Sequence, residues 1–391
     1  MTKLLMSCDE YVYMHDDRYY AGNQERFDFF ERYLRVFDNL RIVLRCEEEE
    51  LKKGRVPLDQ DPRIEFVPVP MFHGPKDYAK KYFAVGKALR NVTDGCDAAV
   101  LRLPSTVAMR IGKQVSSKGL PYACEVVFDA EDGWRGTTGV TRLAWKRIDK
   151  QMRSMCAMAD GVSCVTEHYL QQHYFPNRPD AFTEHYSSLA LDKLFYGAAK
   201  SFPHHKPFVI AHTANQVEYD GRKGHVEIIR SLKLLKDRGV NVKARFAGKD
   251  YFGGVGKLQE LAQKLGVSDR VEFLGFISRD ELNQFLSESD IYVMPTKAEG
   301  LPRVIIEAMA KGLPCITTPV SGNPELVSNH FLVDYYDIRI LADRIEELTE
   351  DASLYEQTSQ ENFDRSLEYE ASILQARRDA FYSNLKGRIL S

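Results

Sequence analysis

One glutamate of this sequence lies in the middle of an apolar helical segment, where a carboxylate needs an explanation. Glu307 belongs to the segment 303–310, which is apolar nearly all the way round, so the helix that it predicts should be buried. A buried carboxylate costs free energy unless it finds partners, and sugar hydroxyl groups would serve as hydrogen-bond donors to it. A structural ion pair, or a side chain that reaches solvent, explains Glu307 equally well at this point.

A second glutamate precedes the same predicted helix. Seven residues separate Glu299 from Glu307, and Pro302 suits a first helical turn because its missing N–H costs little there. The backbone N–H groups near Gly300 and Leu301 would then point outward at a helix N-terminus, whose partial positive charge favours a phosphate. The alternative is that Glu299 is an exposed loop carboxylate near that terminus.

Two basic residues lie directly before another predicted helix, 224–238. Arg222 and Lys223 precede Gly224, and basic residues at a helix start are unfavourable for the helix dipole. Their position therefore favours a functional role. Together they could neutralise a diphosphate leaving group.

The elements that position these residues alternate between short apolar runs and helical patterns, which predicts a parallel sheet wrapped by helices. The predicted strands are 208–212, 242–247, 271–274, 291–294 and 314–318, and the predicted helices are 224–238, 256–266, 279–288, 302–311 and 338–350. Ligands of an open parallel sheet bind beyond the carboxyl ends of its strands. Glycines and charged residues follow these strands, as expected for an anionic ligand, and Asn215, Gly248 and Phe276 lie among them.

The first half of the chain shows the same alternation less regularly. Its predicted strands are 3–7, 41–45, 64–67, 98–102, 122–127 and 162–165, and its predicted helices are 24–37, 77–91, 105–118, 140–158 and 167–174. Residues 196–207 have no periodic apolar pattern, which is typical of a linker. We therefore predict an amino-terminal domain over 1–195 and a carboxyl-terminal domain over 207–360, followed by a polar helical tail.

Three weaker patterns have simpler explanations. Asp129, in the loop 128–134 after a predicted strand, is a candidate contact for an acceptor hydroxyl group, and an ordinary polar loop explains it at least as well. The basic amphipathic segment 142–153 could lie on anionic lipid, but we interpret it as a core helix with a solvated basic face. Asp59 and Asp61 fit a metal-binding spacing, but turn chemistry before a proline explains them better.

Composition excludes several classes of protein. The 391 residues are 44% hydrophobic and 28% charged, which is the balance of a globular protein, and a net charge of −3 does not favour nucleic-acid binding. Seven scattered cysteines indicate buried thiols in a reducing cytosol rather than a zinc site. The sequence shows neither a signal peptide nor an apolar run of about 20 residues, so we expect a cytoplasmic protein that could touch a membrane surface.

Residues 289–327 resemble the signature of the retaining glycosyltransferases of family four. The resemblance is carried by Ser289-Asp-Ile-Tyr-Val-Met-Pro-Thr-Lys-Ala-Glu299-Gly-Leu-Pro-Arg-Val-Ile-Ile-Glu307 and by Ser321-Gly-Asn-Pro-Glu325. Weaker matches at Lys223-Gly224, 246–248 and 271–275 extend it across the second half. The first half resembles the family only in the order of its elements.

The resemblance implies a GT-B fold. This is an α/β architecture of two Rossmann-like domains that face a central cleft, with a carboxyl-terminal helix, here 365–391, that crosses back to the first domain. By similarity, Glu307 would hold the ribose hydroxyl groups of a nucleotide-sugar donor, and Glu299 would lie by the transferred sugar and the diphosphate. Lys223 and the amides near Gly300 and Leu301 would bind the phosphates.

Two departures from the family concern the phosphate site. The family commonly places an arginine several residues before the Lys-Gly pair, whereas this chain has Asn215 and Gln216 there. Either Arg222 substitutes for that arginine, or the two amides give weaker neutral hydrogen bonds. The usual glycine-rich loop after the first strand is also absent, and residues 8–13 stand in its place. By the same resemblance, the loop around Phe276 would cover the nucleotide base of the donor.

The implied reaction transfers a hexose-type sugar from a nucleotide diphosphate to a hydroxyl acceptor with retained configuration. Lys223 and the helix start would receive the charge of the leaving group, and the resemblance implies neither a bound metal nor a cofactor. The expected partners are the donor and a glycan or lipid-linked acceptor, in glycan or surface-polysaccharide biosynthesis. The alternatives are a nucleotide-sugar epimerase on the same fold, and a non-catalytic protein that binds nucleotide sugars or glycans.

Overall fold

The chain forms two compact units. The computed structural model describes residues 1–21, 29–50, 55–58, 61–134, 138–189, 191–219 and 221–390. The first unit is Met1–Tyr186 together with Gln375–Ser391, and the second is Ser187–Leu374. The predicted linker 196–207 belongs to the second unit, where the Gly197 amide donates to the carbonyl of Ala310 at 2.9 Å. Its irregular sequence therefore reflects a packed non-repetitive segment rather than a separate connection.

An eight-stranded sheet forms the centre of the first unit. Its strands are β1 (Lys3–His15), β2 (Arg18–Ala21), β3 (Asn39–Glu48), β4 (Ile64–Pro70), β5 (Ala98–Leu103), β6 (Tyr122–Val126), β7 (Gly161–Cys164) and β8 (Phe182–His185). The order is β4-β3-β1-β5-β6-β7-β8 with parallel neighbours, and β2 pairs antiparallel with β1. The predicted strands of this half are all present. The apolar pattern does not predict β2 or β8, which are short and only partly buried.

A hairpin follows the first predicted strand. β1 continues beyond Ser7 to His15 and returns as β2 through Asp16 and Asp17, whose φ angles are 47° and 58°. Two central residues with positive φ form a type I′ turn, whose twist suits a two-residue hairpin. Polar residues after position 7 end the apolar run, but the backbone still pairs with β3, so the observed strand is longer than the predicted one.

The helices of the first unit lie between these strands. They are α1 (Glu31–Leu34), α2 (Gly74–Ala88), α3 (Thr106–Ser117), α4 (Ala130–Trp134), α5 (Gly139–Met158) and α6 (Tyr169–His173). Of the predicted helix 24–37, residues 24–28 lie outside the described residues. The predicted basic helix corresponds to α5, which buries Met152, Met155 and Cys156 in its second half but leaves Leu143 exposed in its first half.

A five-stranded parallel sheet forms the centre of the second unit. Its strands are β9 (Phe208–Gln216), β10 (Val242–Lys249), β11 (Val271–Gly275), β12 (Ile291–Met294) and β13 (Cys315–Thr317), in the order β11-β10-β9-β12-β13. The five predicted strands are confirmed, and β9 and β10 extend beyond their apolar runs. The strand order reverses between β9 and β12, as it does between β1 and β5, so both units are Rossmann-like.

The helices of the second unit match the predicted pattern closely. They are α7 (His225–Asp237), α8 (Gly254–Lys264), α9 (Arg279–Ser287), α10 (Arg303–Met309), α11 (Ile338–Glu350) and α12 (Ala352–Ser366). Ser278 begins α9 with a capping box, in which its side chain accepts from the Glu281 amide and the Glu281 carboxylate accepts from the Ser278 amide. α10 is the shortest of them, and its apolar residues other than Val304 are buried.

The last helix, α13 (Ala371–Leu390), belongs to both units. It starts in the second unit, where the Ala371 amide donates to the carbonyl of Leu191 at 2.8 Å. It continues in the first unit, where the Tyr382 hydroxyl donates to the buried carboxylate of Glu125 at 2.5 Å. The predicted return of the chain to the first domain is therefore present. No helix in the described ranges is both long and apolar enough to cross a membrane.

Candidate functional site

The predicted site residues of the second unit gather at the carboxyl edge of its sheet, around the reversal between β9 and β12. Open parallel sheets bind ligands at such a reversal. Asn215 is exposed near the end of β9, and Gly248 is buried near the end of β10. A Cβ atom on Gly248 would overlap the carbonyl oxygen of Ala214, so only glycine allows these two strand ends to approach.

A second glycine holds the Lys223 turn against the loop after β12. Gly224 has a φ of +81°, and a Cβ atom there would overlap the carbonyl oxygen of Pro295. The Lys297 amide also donates to the carbonyl of Arg222 at 2.8 Å. Backbone contacts therefore fix the turn 221–224 beside the loop 295–299, independently of any side chain.

Lys223 and Glu299 form an ion pair across this junction. The Lys223 Nζ donates to the Oε1 of Glu299, and the same oxygen accepts from the Thr296 Oγ1 at 3.2 Å. The Lys223 side chain keeps 33% of its surface exposed and the Glu299 side chain 13%. The ammonium group is therefore oriented by a carboxylate, yet it can still face a solvent-borne anion. The structure brings together two of the three residues that the sequence singled out for the reaction, and the third, Asp129, lies in the first unit.

The chain between Glu299 and α10 presents backbone donors at the same edge. The Gly300 carbonyl accepts from the Gly322 amide at 3.0 Å, which ties this loop to the one after β13. The amides of Gly300 and Leu301 donate to no backbone carbonyl of the described chain. Leu301 itself is buried, so its side chain anchors the loop while its backbone remains a potential anion contact.

Glu307 is less buried than its helix predicts. Its neighbours Ile305, Ile306 and Ala308 are fully buried, but Glu307 itself is partly exposed. The helix is buried as predicted, and among the explanations left open for Glu307 its partial exposure agrees with a side chain that reaches solvent, because partial exposure spares the charge much of its desolvation cost. Burial is the main cause of the raised pKa of Tyr292, and the charge of Glu307 adds to it, which places this carboxylate near the Tyr292 hydroxyl.

Two further predicted donor residues lie exposed at the edge. Arg222 is exposed in the turn before Lys223. Phe276 is 67% exposed, and the Lys249 ammonium lies 4.6 Å from the centre of its ring. An exposed aromatic face beside a cation suits a planar anionic ligand.

A pair of buried histidines, which sequence reasoning missed, lies beneath this edge. The imidazoles of His212 and His225 are 4.6 Å apart, and the Nδ1 of His212 bonds the carbonyl of Val293 at 2.8 Å. Burial lowers the pKa of His212 to about 4 and that of His225 to about 2, so both rings are neutral at pH 7. The available signal was a polar residue at each of two apolar positions, namely in β9 and at the start of α7.

Asp129 occupies a different environment from the one expected. Its carboxylate in the first unit is fully buried and accepts from the hydroxyl groups of Tyr174 at 2.9 Å and Tyr169 at 3.1 Å, and from the Glu131 amide at 2.9 Å. These donors satisfy a carboxylate that no solvent reaches. The structure therefore does not support an acceptor contact at Asp129, because the residue after β6 turns inward at the start of α4.

The described residues contain no cluster of three or more histidine, cysteine or acidic side chains that could hold a metal ion. Asp59, from the weak metal-binding pattern, lies outside the described residues. Asp61 pairs with Arg63 at 2.6 Å, as expected for a residue in a turn.

Comparisons with known proteins point to the glycosyltransferases. Residues 202–365 match the model of the family Glycosyl transferases group 1. The chain is 26% identical over 343 residues to Protein CapJ of Staphylococcus aureus, which covers 86% of this chain and 83% of CapJ. It is 32% identical over 133 residues to the putative colanic acid biosynthesis glycosyltransferase WcaL of Escherichia coli, which covers 32% of each chain.

A solved structure shows the same architecture over the whole length. The structure of HepE from Anabaena in complex with UDP-glucose superposes with a TM-score of 0.65 at 17% identity, over 97% of this chain and 98% of HepE. The fold is therefore that of the GT-B glycosyltransferases. The family match and the named relatives further support a group 1 glycosyltransferase.

Proposed function

We propose that this protein is a retaining glycosyltransferase that moves a sugar from a nucleotide diphosphate to a hydroxyl acceptor in glycan or surface-polysaccharide biosynthesis. The observation that carries the proposal is the Lys223–Glu299 ion pair at the reversal of the second sheet. A cation held there by a carboxylate suits the diphosphate of a nucleotide sugar. The names of WcaL and HepE support the setting and the donor class, respectively.

The proposed donor site assigns a part of the nucleotide sugar to each residue. Glu307 accepts hydrogen bonds from the ribose hydroxyl groups, and its partial exposure lets a ligand reach it. The ring of Phe276 covers the base, and Lys249 lies beside it. Asn215 and Gly248, at the ends of β9 and β10, form the wall between these two parts.

The diphosphate lies where positive charge and backbone donors meet. Lys223, Arg222 and the amides of Gly300 and Leu301 would surround it, and Glu299 would lie beside the transferred sugar while orienting Lys223. These groups would neutralise the diphosphate without a bound metal. Turnover that persists in the presence of EDTA would support that part of the proposal, and turnover that requires added Mg²⁺ would contradict it.

The chemical step transfers negative charge to the leaving group. The bond between the anomeric carbon and the diphosphate oxygen breaks, and its electron pair stays on that oxygen, where Lys223 stabilises it. The acceptor oxygen bonds to the same face of the anomeric carbon, and its proton passes to the departing phosphate. This route retains configuration and needs no protein nucleophile.

The direct test is a turnover assay with the full chain and a panel of nucleotide sugars and glycan or lipid-linked acceptors. Formation of a glycosidic bond of the same anomeric configuration as the donor, assigned by NMR, supports the proposal. Conversion of the donor without an acceptor would identify an epimerase instead. Donor binding without turnover on any acceptor would identify a binding protein.

The Glu307→Ala variant tests the donor site. We expect the thermal shift caused by the preferred nucleotide sugar to disappear, since a ligand at about 100 times its Kd adds roughly 2.7 kcal/mol of stability only while it binds. Glu350→Ala, which removes an exposed carboxylate at the end of α11, is the matched control and should keep the shift. A full shift in Glu307→Ala would refute the ribose contact. Glu307→Gln, which keeps the shape of the side chain, shows whether the charge itself is needed.

A further inference from the structure

Helix α2 of the first unit exposes two aromatic side chains. Phe83 is 86% exposed and Tyr82 is 46% exposed, although both belong to a fifteen-residue helix. The opposite face of the same helix buries Val85, and Leu89 is buried directly after its end. The helix is therefore properly packed, and its outer face carries apolar surface that the described residues do not cover.

Basic residues surround the exposed aromatics. Lys76, Lys80, Phe83 and Lys87 follow one another at spacings of four, three and four residues, so they share one face of the helix, and all four are exposed. The only acidic residue of α2, Asp77, is held by Lys81 at 3.2 Å and by the His73 amide at 3.0 Å. The outer face is therefore strongly positive in a chain whose net charge is −3.

The neighbouring helix keeps this face rigid and adds no negative charge. The Arg110 guanidinium of α3 donates to the carbonyl of Tyr82 at 2.8 Å and lies 4.3 Å from the centre of the Tyr82 ring. The Gln114 side chain donates to the carbonyl of Leu89 at 2.8 Å. α3 contains no acidic residue. The basic and aromatic side chains are thus presented on a fixed support.

We propose that α2 attaches the protein to the anionic surface of a lipid bilayer. Phe83 and Tyr82 enter the headgroup region, and Lys76, Lys80 and Lys87 contact lipid phosphates. Lysines that share a helix face with an exposed aromatic residue, here Phe83, and have a second one, Tyr82, at the flank of that face form the pattern of an interfacial helix. Protein–protein interfaces are instead depleted in lysine. They also bury about 800 Å² of surface on each partner, which is more area than two exposed aromatic rings provide.

The structure favours α2 over the basic helix α5 for this role. α5 exposes no aromatic side chain among its described residues, since its large exposed apolar residues are Leu143 and Met158, and two of its basic residues, Arg142 and Lys146, already interact within the protein. The inference does not depend on the proposed transfer reaction, because attachment requires neither donor nor acceptor. It can therefore succeed or fail separately from that function.

The test is co-sedimentation of the full chain with vesicles of phosphatidylcholine, either alone or mixed with phosphatidylglycerol. We expect binding only to the mixed vesicles, with an affinity that falls as salt is added. Replacing Lys80 and Lys87 by alanine should weaken binding by roughly fivefold for each lysine. Phe83→Ala should also weaken it, and the indole emission of Phe83→Trp should shift to shorter wavelength when vesicles are added.

Matched variants separate α2 from other surfaces. Leu143→Ala on α5 and Phe252→Ala in the second unit remove exposed apolar side chains elsewhere and should leave binding unchanged. All of these positions are exposed, so an unchanged melting temperature confirms that each variant is folded. Failure to bind the mixed vesicles, loss of binding in Leu143→Ala, or equal competition by soluble polyglutamate would each overturn the proposal.

Discussion

Lys223 and Glu299 are 76 residues apart in the sequence, and the backbone brings them together. The close approach of Gly224 to Pro295 and the hydrogen bond from Lys297 to Arg222 fix the two loops before the side chains meet. The ion pair is therefore a consequence of the backbone rather than its cause. For that reason, its contribution to stability and its contribution to chemistry can be measured separately.

Replacing Lys223 by alanine should affect turnover far more than stability. The loss of one preorganised charge at a leaving group typically lowers kcat by about 10²–10³. A partly exposed ion pair contributes only about 0–1 kcal/mol to folding. Steady-state kinetics and urea denaturation of the same preparation measure both effects.

Lys233→Ala is the control for this variant. Lys233 belongs to α7 and pairs with Asp237 four residues later, so its loss removes a similar ion pair outside the site. We expect wild-type kcat in Lys233→Ala. Wild-type kcat in Lys223→Ala as well would rule out the phosphate role.

Gly224→Ala tests the backbone junction itself. Both Gly224 and Gly239 have left-handed backbones, with φ angles of +81° and +82°, but a Cβ atom has open space at Gly239 and overlaps Pro295 at Gly224. Gly239→Ala should therefore cost only the conformational penalty of about 1–2 kcal/mol. Gly224→Ala should cost more and should also reduce donor binding. Equal free energies of unfolding for the two variants would show that the contact with Pro295 is unimportant.

Sequence reasoning located the charged residues of the site but not their surroundings. Glu299, Lys223 and Gly300 follow strand ends, and the topology of a parallel sheet predicts that such residues share one edge. The environment of Asp129 could not be predicted, because its tyrosine donors, Tyr169 and Tyr174, lie 40 and 45 residues away. Partial exposure of Glu307 likewise depends on how α10 packs.

At the scale of elements, α7 and β9 are joined by the buried imidazoles of His212 and His225. Each ring is neutral in the folded state, because burial holds its pKa well below the ordinary value of 6.5. In the unfolded chain both imidazoles take up protons as the pH falls below about 6.5. In the folded chain the His212 imidazole takes up its proton only near pH 4. Stability should therefore fall on acidification through this window and recover as the pH rises.

His225→Phe should weaken this pH dependence. Between pH 7 and pH 5, each buried neutral imidazole costs about 2 kcal/mol of folding free energy, so removing one should reduce the acid-induced loss by that amount. Urea denaturation at the two pH values measures the difference. His168→Phe, which removes an exposed imidazole, should retain the wild-type loss, and an unchanged loss in His225→Phe would contradict the argument.

The elements that sequence reasoning predicted best are those with an uninterrupted apolar run between polar residues. The bounds of β12 are those predicted, whereas β9 continues to Gln216 and β10 to Lys249, beyond their apolar runs, because backbone pairing does not require apolar side chains. The hairpin of β1 and β2 was missed for the same reason. Its turn uses Asp16 and Asp17, and aspartates with positive φ are less common than glycine in such turns.

At the scale of the whole molecule, α13 completes the first unit with residues from the end of the chain. Tyr382, Tyr33 and Tyr186 donate hydrogen bonds to the buried Glu125 carboxylate, at 2.5, 3.0 and 2.9 Å. Phe381 and Leu385 are also buried in this unit. The stability of the first unit therefore depends on residues that follow the second unit in the sequence.

Tyr382→Phe should destabilise the first unit selectively. Removal of one hydrogen bond to a buried charged group costs about 1.5–3 kcal/mol. Hydrogen exchange should show faster exchange of the β6 amides, while the β10 amides in the second unit keep their protection. Tyr336→Phe, at an exposed position, serves as the control. Equal acceleration in both sheets would show that the two units unfold together.

Because α13 follows the second unit in the sequence, the order of synthesis differs from the order of folding. A ribosome that adds about 5–20 residues each second exposes the entire second unit before Phe381 and Tyr382 have left the exit tunnel. The first unit therefore lacks the buried side chains of Phe381, Tyr382 and Leu385 until α13 has emerged. Nascent chains that stall before α13 emerges should be recognised by chaperones through the first unit, although it emerges before the second unit.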